Sequence, residues 1–151
     1  MTHRDQLKRL LLERSVRFGN FMLASGTSST YYIDARPTTM SAEGQMLVGQ
    51  VGFDMVRESG LEPTHIGGLT MGADPISYAI AHRSHLEGQP IDGFSVRKEA
   101  KHYGTGNRIE GGLDLSSRCL VIEDTLTTGK STLAAIEALR EHGVTLVGVL
   151  A

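Results

Sequence analysis

Residues 120–132 read LVIEDTLTTGKST: an apolar run that halts on two adjacent acids, passes through a hydroxyl-rich turn and enters a basic, serine-containing segment. The run belongs to RCLVIED, a short continuous apolar stretch of the kind expected for a strand buried on both faces. After it, Leu133, Ile136 and Leu139 recur at helical spacing through Ser131 to His142, Gly143 is placed to end that helix, and VTLVGVL reads as the next strand. Strand, turn, helix, strand is the repeating unit of an α/β fold with a mainly parallel sheet flanked by helices.

The tail of the stretch suggests a triphosphate-binding loop, but that loop needs a glycine five residues before Gly129, and the residue there is Asp124. A dinucleotide fingerprint fails as well, because Gly104 and Gly106 would require a third glycine where Ile109 stands. What remains is a strand ending in Glu123 and Asp124, and a turn that delivers the chain onto a helix N-terminus near Lys130. Free backbone N–H groups there, the positive end of the helix dipole and the hydroxyls of Thr127, Thr128 and Ser131 suit a phosphate monoester. Two carboxylates beside it would repel further phosphate yet accept hydrogen bonds from neutral hydroxyls. The ligand so described is a sugar phosphate, its phosphate on the helix and its diol on the acids. An ordinary strand-turn-helix corner with solvated acids fits the same residues.

Working outward, the 151 residues suit one domain, and the 18 glycines exceed the ordinary share, which favours tight loops or close approach of backbone to a ligand. A net charge of −2 supplies no global field for nucleic acid or an anionic membrane, so an anionic ligand must be captured locally. The longest apolar stretch, Val144 to Ala151, is far short of a bilayer span, and the charged N-terminal MTHRDQLKRL has no signal-like apolar region. With the single Cys119 read as a small buried thiol, a reducing cytoplasmic setting is expected.

Upstream, Leu7, Leu10 and Leu11 describe an amphipathic first helix expected to run to about Gly19. FGNFMLASGTSSTYYIDAR then reads as short strands around a turn, and it holds four of the eight aromatic residues. Period-two alternation puts one of Tyr31 and Tyr32 toward the core and leaves the other for a flat ring. Ser41 is placed to cap a helix with Leu47, Val51 and Met55 on one face, ended by Ser59-Gly60, with Gly44, Gly49 and Gly52 permitting close packing. THIGGLTMGADP reads as strand, glycine-bracketed turn and helix entry at Pro75, and IDGFSV as another strand. From Arg97 to Gly112 no helical or strand period is visible, so a long loop is expected, of a length usually functional or mobile. Its Lys98, Lys101 and Arg108 taken alone read first as a solvated loop. His82 and His85 with Glu87 nearby read as a polar helix face rather than a metal site.

These motifs carry a family resemblance. VIEDTLTTGKS resembles the phosphoribosyl pyrophosphate motif of type I phosphoribosyltransferases; VRKEAKHYGTGNRIEG resembles the catalytic loop of the orotate phosphoribosyltransferases, and FMLASGTSSTYYIDAR their N-terminal substrate segment. The resemblance implies the type I phosphoribosyltransferase fold across residues 1–151, with a substrate-binding segment at about 1–37 and the family's C-terminal part lying beyond the chain's end. In the family that part carries an Asp-Arg pair whose arginine meets orotate's carboxylate. Many members also carry a lysine at the positions of Ala24 and Gly72. By the same resemblance, Glu123 and Asp124 bind the ribose hydroxyls, and the turn Thr125, Leu126, Thr127, Thr128, Gly129, Lys130 and Ser131 holds the 5-phosphate. Arg97, Lys98, Lys101 and Tyr103 meet the pyrophosphate, Lys101 and Asp124 are catalytic, and Ser25, Gly26, Tyr31, Tyr32 and Thr127 frame orotate.

The activity implied is transfer of the 5-phosphoribosyl group from phosphoribosyl pyrophosphate to orotate, giving orotidine 5-phosphate in pyrimidine synthesis. Mg2+ is the implied cofactor, held mainly by substrate oxygens and not by a protein ligand set. A homodimer whose 97–112 loop reaches the neighbouring active site is implied, with neither nucleic acid nor membrane as partner. A phosphoribosyltransferase-fold regulator that reads RNA, and a transferase for another base, are the alternatives; the first wants a basic face and the second has no use for SGTSSTYYID.

Overall fold

The computed structural model describes residues 1–23, 25–100 and 106–151. Helix α1 (His3–Arg14) opens on a capping box in which the Thr2 hydroxyl accepts from the Asp5 amide and the Asp5 carboxylate accepts from the Thr2 amide. It ends at Arg14, short of the expected Gly19, because β1 (Val16–Met22) has already begun pairing antiparallel with β2 (Ser28–Ile33), Val16 opposite Ile33. A single turn, α2 (Arg36–Thr39), leads to α3 (Ala42–Ser59), which is capped by the Ser41 hydroxyl and closed by the left-handed Gly60.

The central sheet then builds strand by strand: β3 (His65–Leu69), α4 (Asp74–Leu86), β4 (Asp92–Val96), β5 (Ile109–Glu110), β6 (Arg118–Ile122), α5 (Lys130–His142) and β7 (Thr145–Leu150). Its order is β5-β4-β3-β6-β7, parallel except for the antiparallel edge β4/β5. The mainly parallel α/β expectation therefore holds. The featureless 97–112 reading does not hold throughout, since Ile109 and Glu110 pair with Val96 and Ser95.

Alternation along β6 divides the core in two. Cys119 and Val121 point to one side, packing with Phe94, Val96, Ala135, Ala138 and Leu139, while Leu120 and Ile122 point to the other, against Phe53, Val56, Ile66 and Ile80. On α5 the buried face is Thr132, Ala135, Ala138 and Leu139, and Leu133 is 61% exposed, contrary to the expected face. Small alanines let that helix lie close to the sheet, which a count of large apolar residues misplaces by one step around the helix. On α3, Leu47 is buried as expected, but Phe53 and Val56 fill the core while Val51 and Met55 stay half-buried. The tight contact comes from the glycines: a Cβ on Gly52 would lie 2.5 Å from Ile80 of α4.

Parallel β4, β3 and β6 all send their carboxyl ends to one edge of the sheet, where ligands of open α/β sheets bind. Gly68, near the end of β3, would drive a Cβ to 2.2 Å from the Ile122 carbonyl, so these two strands lie unusually close just below Glu123 and Asp124.

Candidate active site

The LVIEDTLTTGKST stretch sits at that edge. Glu123 and Asp124 follow β6 and are half-buried, whereas Leu126, Thr127 and Thr128 are exposed and the turn ends at left-handed Gly129, the N-cap of α5. No side chain caps α5. Its first-turn amides therefore keep their donors for an incoming anion.

The two acids are not equivalent. Asp124 accepts from the Thr125 amide at 2.9 Å. Glu123 accepts from the Thr132 hydroxyl at 3.0 Å. Burial pushes the Glu123 carboxyl up, reinforced by its neighbour Asp124 and opposed by the Thr132 hydrogen bond.

Two cavities meet here. A polar cleft of about 310 Å³ is lined by Lys98, Arg36, Asp34, Thr70 to Gly72, Glu123, Asp124 and Ser131. A larger cavity of about 750 Å³ runs under α1 and the hairpin, between Tyr31, Leu7, Leu11 and Leu23 on one side and Leu126 and Thr127 on the other. Tyr32, Ile33, Asp124 and Thr125 line both. A ligand seated at Asp124 thus has a polar compartment carrying Arg36 and Lys98 on one side and a mostly apolar one bearing aromatic rings on the other.

The loop after β3 is braced from beneath. Asp74, in the first turn of α4, accepts from the Thr70 hydroxyl at 2.6 Å and the Ser95 hydroxyl at 2.5 Å, and Ser95 also pairs with the Tyr78 hydroxyl at 2.6 Å. The Thr70–Met71 peptide bond is cis. Gly72 presses on the acids: a Cβ there would sit 2.6 Å from both carboxylate oxygens of Asp124.

Of the residues singled out from sequence, Lys98, Glu123, Asp124, Thr125, Ser131 and Tyr32 line the polar cleft, and Tyr31, Leu126 and Thr127 the larger cavity. Arg97 instead ion-pairs with Glu110 on β5, Nε to Oε1 2.9 Å. Ser25 is bonded to Thr27 at 2.7 Å, and left-handed Gly26 donates to the Leu23 carbonyl, both at the hairpin turn outside the two linings. Lys101 and Tyr103 lie outside the described residues. Neither Tyr31 (52% exposed) nor Tyr32 (44%) enters the core, which corrects the alternation argument: a two-stranded hairpin has no covered face to bury one of them. Tyr32 stacks obliquely on Phe21 with ring centroids 5.7 Å apart.

The chain is 44% identical to the orotate phosphoribosyltransferase of Aquifex aeolicus (strain VF5) over 154 residues, covering all of this chain and 83% of that relative. It belongs to the orotate phosphoribosyltransferase family. Solved structures agree: the orotate phosphoribosyltransferase of Mycobacterium tuberculosis H37Rv in complex with Fe(III) dicitrate superposes with a TM-score of 0.83 at 39% identity, covering 98% of this chain and 82% of that one. The same Mycobacterium enzyme in complex with 5-phospho-alpha-D-ribosyl 1-diphosphate gives 0.74 at 33% identity, over 97% and 73%. No protein-family model matches the chain. As an orotate phosphoribosyltransferase it is a pentosyltransferase of pyrimidine synthesis, with the type I phosphoribosyltransferase fold.

Sequence reasoning passed over Asp34, Arg36 and the Thr70–Asp74 brace. An acid and an arginine two residues apart, directly after the paired tyrosines in YYIDAR, were the available signal for the first pair. Among the described residues, no group of three His, Cys, Asp or Glu side chains is placed to hold a metal, and no helix is long and apolar enough to cross a membrane.

Proposed function

We propose that Asp124, shared by the polar cleft and the aromatic-lined cavity, is where the ribose of phosphoribosyl pyrophosphate sits, with diphosphate in the cleft and orotate in the cavity. Asp124 and Glu123 accept the ribose hydroxyls, and the open amides of the Thr125 to Ser131 turn, with Thr127, Thr128 and Ser131, take the 5-phosphate. Tyr31, Tyr32 and Thr127 frame the orotate ring, with the hairpin turn at Ser25 and Gly26 closing that side. Residues 1–37 then act as a substrate-binding segment of a single catalytic domain.

A ring nitrogen of orotate forms the bond to ribose C1 while the C1–O bond to diphosphate breaks; the electron pair departs with diphosphate, which also takes up the proton released from the ring N–H. Lys98 lines the cleft that receives this leaving group, and the family resemblance assigns Lys101 and Tyr103 to it as well; fixed positive charge aimed at developing negative charge is often the largest catalytic contribution. Two half-buried carboxylates, with no third His, Cys, Asp or Glu grouped to hold a metal among the described residues, suit a metal held mainly by substrate oxygens. Mg2+ bound in this way supplies charge neutralisation at the diphosphate. The working form we propose is a cytoplasmic homodimer in which loop 97–112 reaches the neighbouring site; Arg97 would then exchange Glu110 for substrate.

The test is spectrophotometric consumption of orotate with phosphoribosyl pyrophosphate and Mg2+, run beside uracil, adenine and hypoxanthine. Turnover of orotate alone is expected. Turnover of another base in its place, or of none, overturns the assignment.

A further inference from the structure

We infer that Arg36, oriented by Asp34, is a diphosphate-binding residue of this site. Asp34 ends the hairpin and Arg36 opens the single turn that follows, and the two side chains meet in a fork: Nε to Oδ1 at 2.8 Å and Nη2 to Oδ2 at 3.0 Å. Asp34 Oδ1 also accepts the Arg36 backbone amide at 3.1 Å. That geometry fixes the plane of the guanidinium and uses two of its five N–H donors, leaving three, and no other partner is recorded for them among the described residues. The Arg36 side chain is 47% exposed and lines the same cleft as Lys98, Thr70 to Gly72 and Ser131.

Three observations favour diphosphate over orotate as the anion Arg36 meets, the 5-phosphate being assigned above to the Thr125 to Ser131 turn. Arg36 lines the polar cleft and is absent from the lining of the larger cavity where Tyr31 and Thr127 stand, so it borders the compartment proposed for diphosphate and not the one proposed for orotate. Position 72, in the same lining, supplies no cation and has no room for a Cβ without moving Asp124, so among the described residues the cleft's positive charge comes from Arg36 and Lys98. Finally, an arginine guanidinium is a permanent cation, and this one, held more firmly protonated by Asp34 and further by Asp124, stands beside the ribose-binding acid. A planar, pre-oriented fork of N–H donors matches phosphoryl oxygens as a flexible ammonium does not.

The inference rests on the site assignment above, and the experiment separates the two. Binding of inorganic pyrophosphate in the presence of Mg2+ is measured by titration calorimetry on the whole chain, with KM for orotate and for phosphoribosyl pyrophosphate measured alongside. Arg36→Ala is expected to weaken pyrophosphate binding by at least about tenfold, the scale of a lost charge-assisted contact at a half-exposed site, with the orotate KM unchanged. Arg36→Lys keeps the charge but loses the fork, and should recover only part of that loss. Asp34→Asn should weaken pyrophosphate binding at least about threefold although it removes a negative charge; tighter binding would sink the orienting role of Asp34. If the parent binds no pyrophosphate, the site assignment itself fails. If the parent binds and Arg36→Ala binds equally well, or if only its orotate KM rises, Arg36 is not a diphosphate residue while the site assignment stands. Melting curves identify any variant whose loss is one of folding.

Discussion

Gly72→Ala tests whether the position of Asp124, and not merely its charge, is what the site depends on. The added Cβ would sit 2.6 Å from the Asp124 Cγ and both of its oxygens, against about 3.4 Å for an ordinary contact, so the carboxylate must retreat by about 0.8 Å or the 70–72 loop must yield. That loop is held by the Thr70–Asp74 and Ser95–Asp74 hydrogen bonds, and its Thr70 amide donates to the Val96 carbonyl at 2.9 Å. Asp124 is a short side chain held by the Thr125 amide with Glu123 beside it, so it is the softer of the two and moves. Catalytic groups tolerate about 0.5 Å of misplacement, and about 1 Å can cost on the order of a hundredfold. We therefore expect kcat/KM for phosphoribosyl pyrophosphate to fall by roughly 30- to 100-fold. Turning one carboxylate off its rotamer costs about 1 kcal/mol, which for a chain of this size lowers Tm by only about 2–4 °C. Initial rates across a range of phosphoribosyl pyrophosphate concentrations, with a parallel thermal melt, measure both. A variant within threefold of the parent in kcat/KM would refute the claim that Asp124 must stand where it does.

Two further outcomes follow from burial. Glu123 has its carboxyl pushed above the ordinary value of 4.5 by burial, so in the window between those values the folded state binds more protons than the unfolded one, and stability falls as pH rises through it. Glu123→Gln removes this loss, so the Tm difference between variant and parent should grow in the variant's favour from below pH 4.5 upward; a difference that stays flat with pH would contradict it. Cys119 is fully buried and its thiol is pushed up to about 11 by that burial, so iodoacetamide at pH 8 should label it only as fast as the protein opens, and rapid labelling without denaturant would show the β6 core to be accessible.

Features that announce themselves locally could be read from the chain alone. A run of Cys-Leu-Val-Ile has no polar face to show to water, so it must be a strand covered on both sides, and β6 is. Ser41, Gly60 and Gly143 mark helix ends through their own side-chain or backbone chemistry and do so in the structure. What stayed hidden depends on partners distant in sequence. Ile109 and Glu110 are strand only because Val96 and Ser95 offer an open edge. The buried face of α5 is chosen by how closely the helix approaches β3 and β6, which favours Ala135 and Ala138 over the larger Leu133. Arg36 enters the cleft because the hairpin returns it to the carboxyl end of β6, a placement no spacing within YYIDAR reveals.

The two acids that first drew attention carry different burdens, and the reason lies in their partners. Just past β6 the two carboxyl groups stay close enough to influence each other but take different further partners: Glu123 reaches back to Thr132, whose own position is fixed on the buried face of α5, while Asp124 meets the Thr125 amide and Gly72. Glu123 is therefore coupled to the packing of the helix that presents the phosphate-binding amides, and Asp124 to the loop that borders the polar cleft. A ribose bridging them would connect the phosphate turn to the β3 loop across a single peptide unit. On this geometry, loosening α5 by shortening Thr132 should disturb the Glu123 side of the ribose and the phosphate together, whereas changes at Gly72 act through Asp124 and leave the phosphate turn in place.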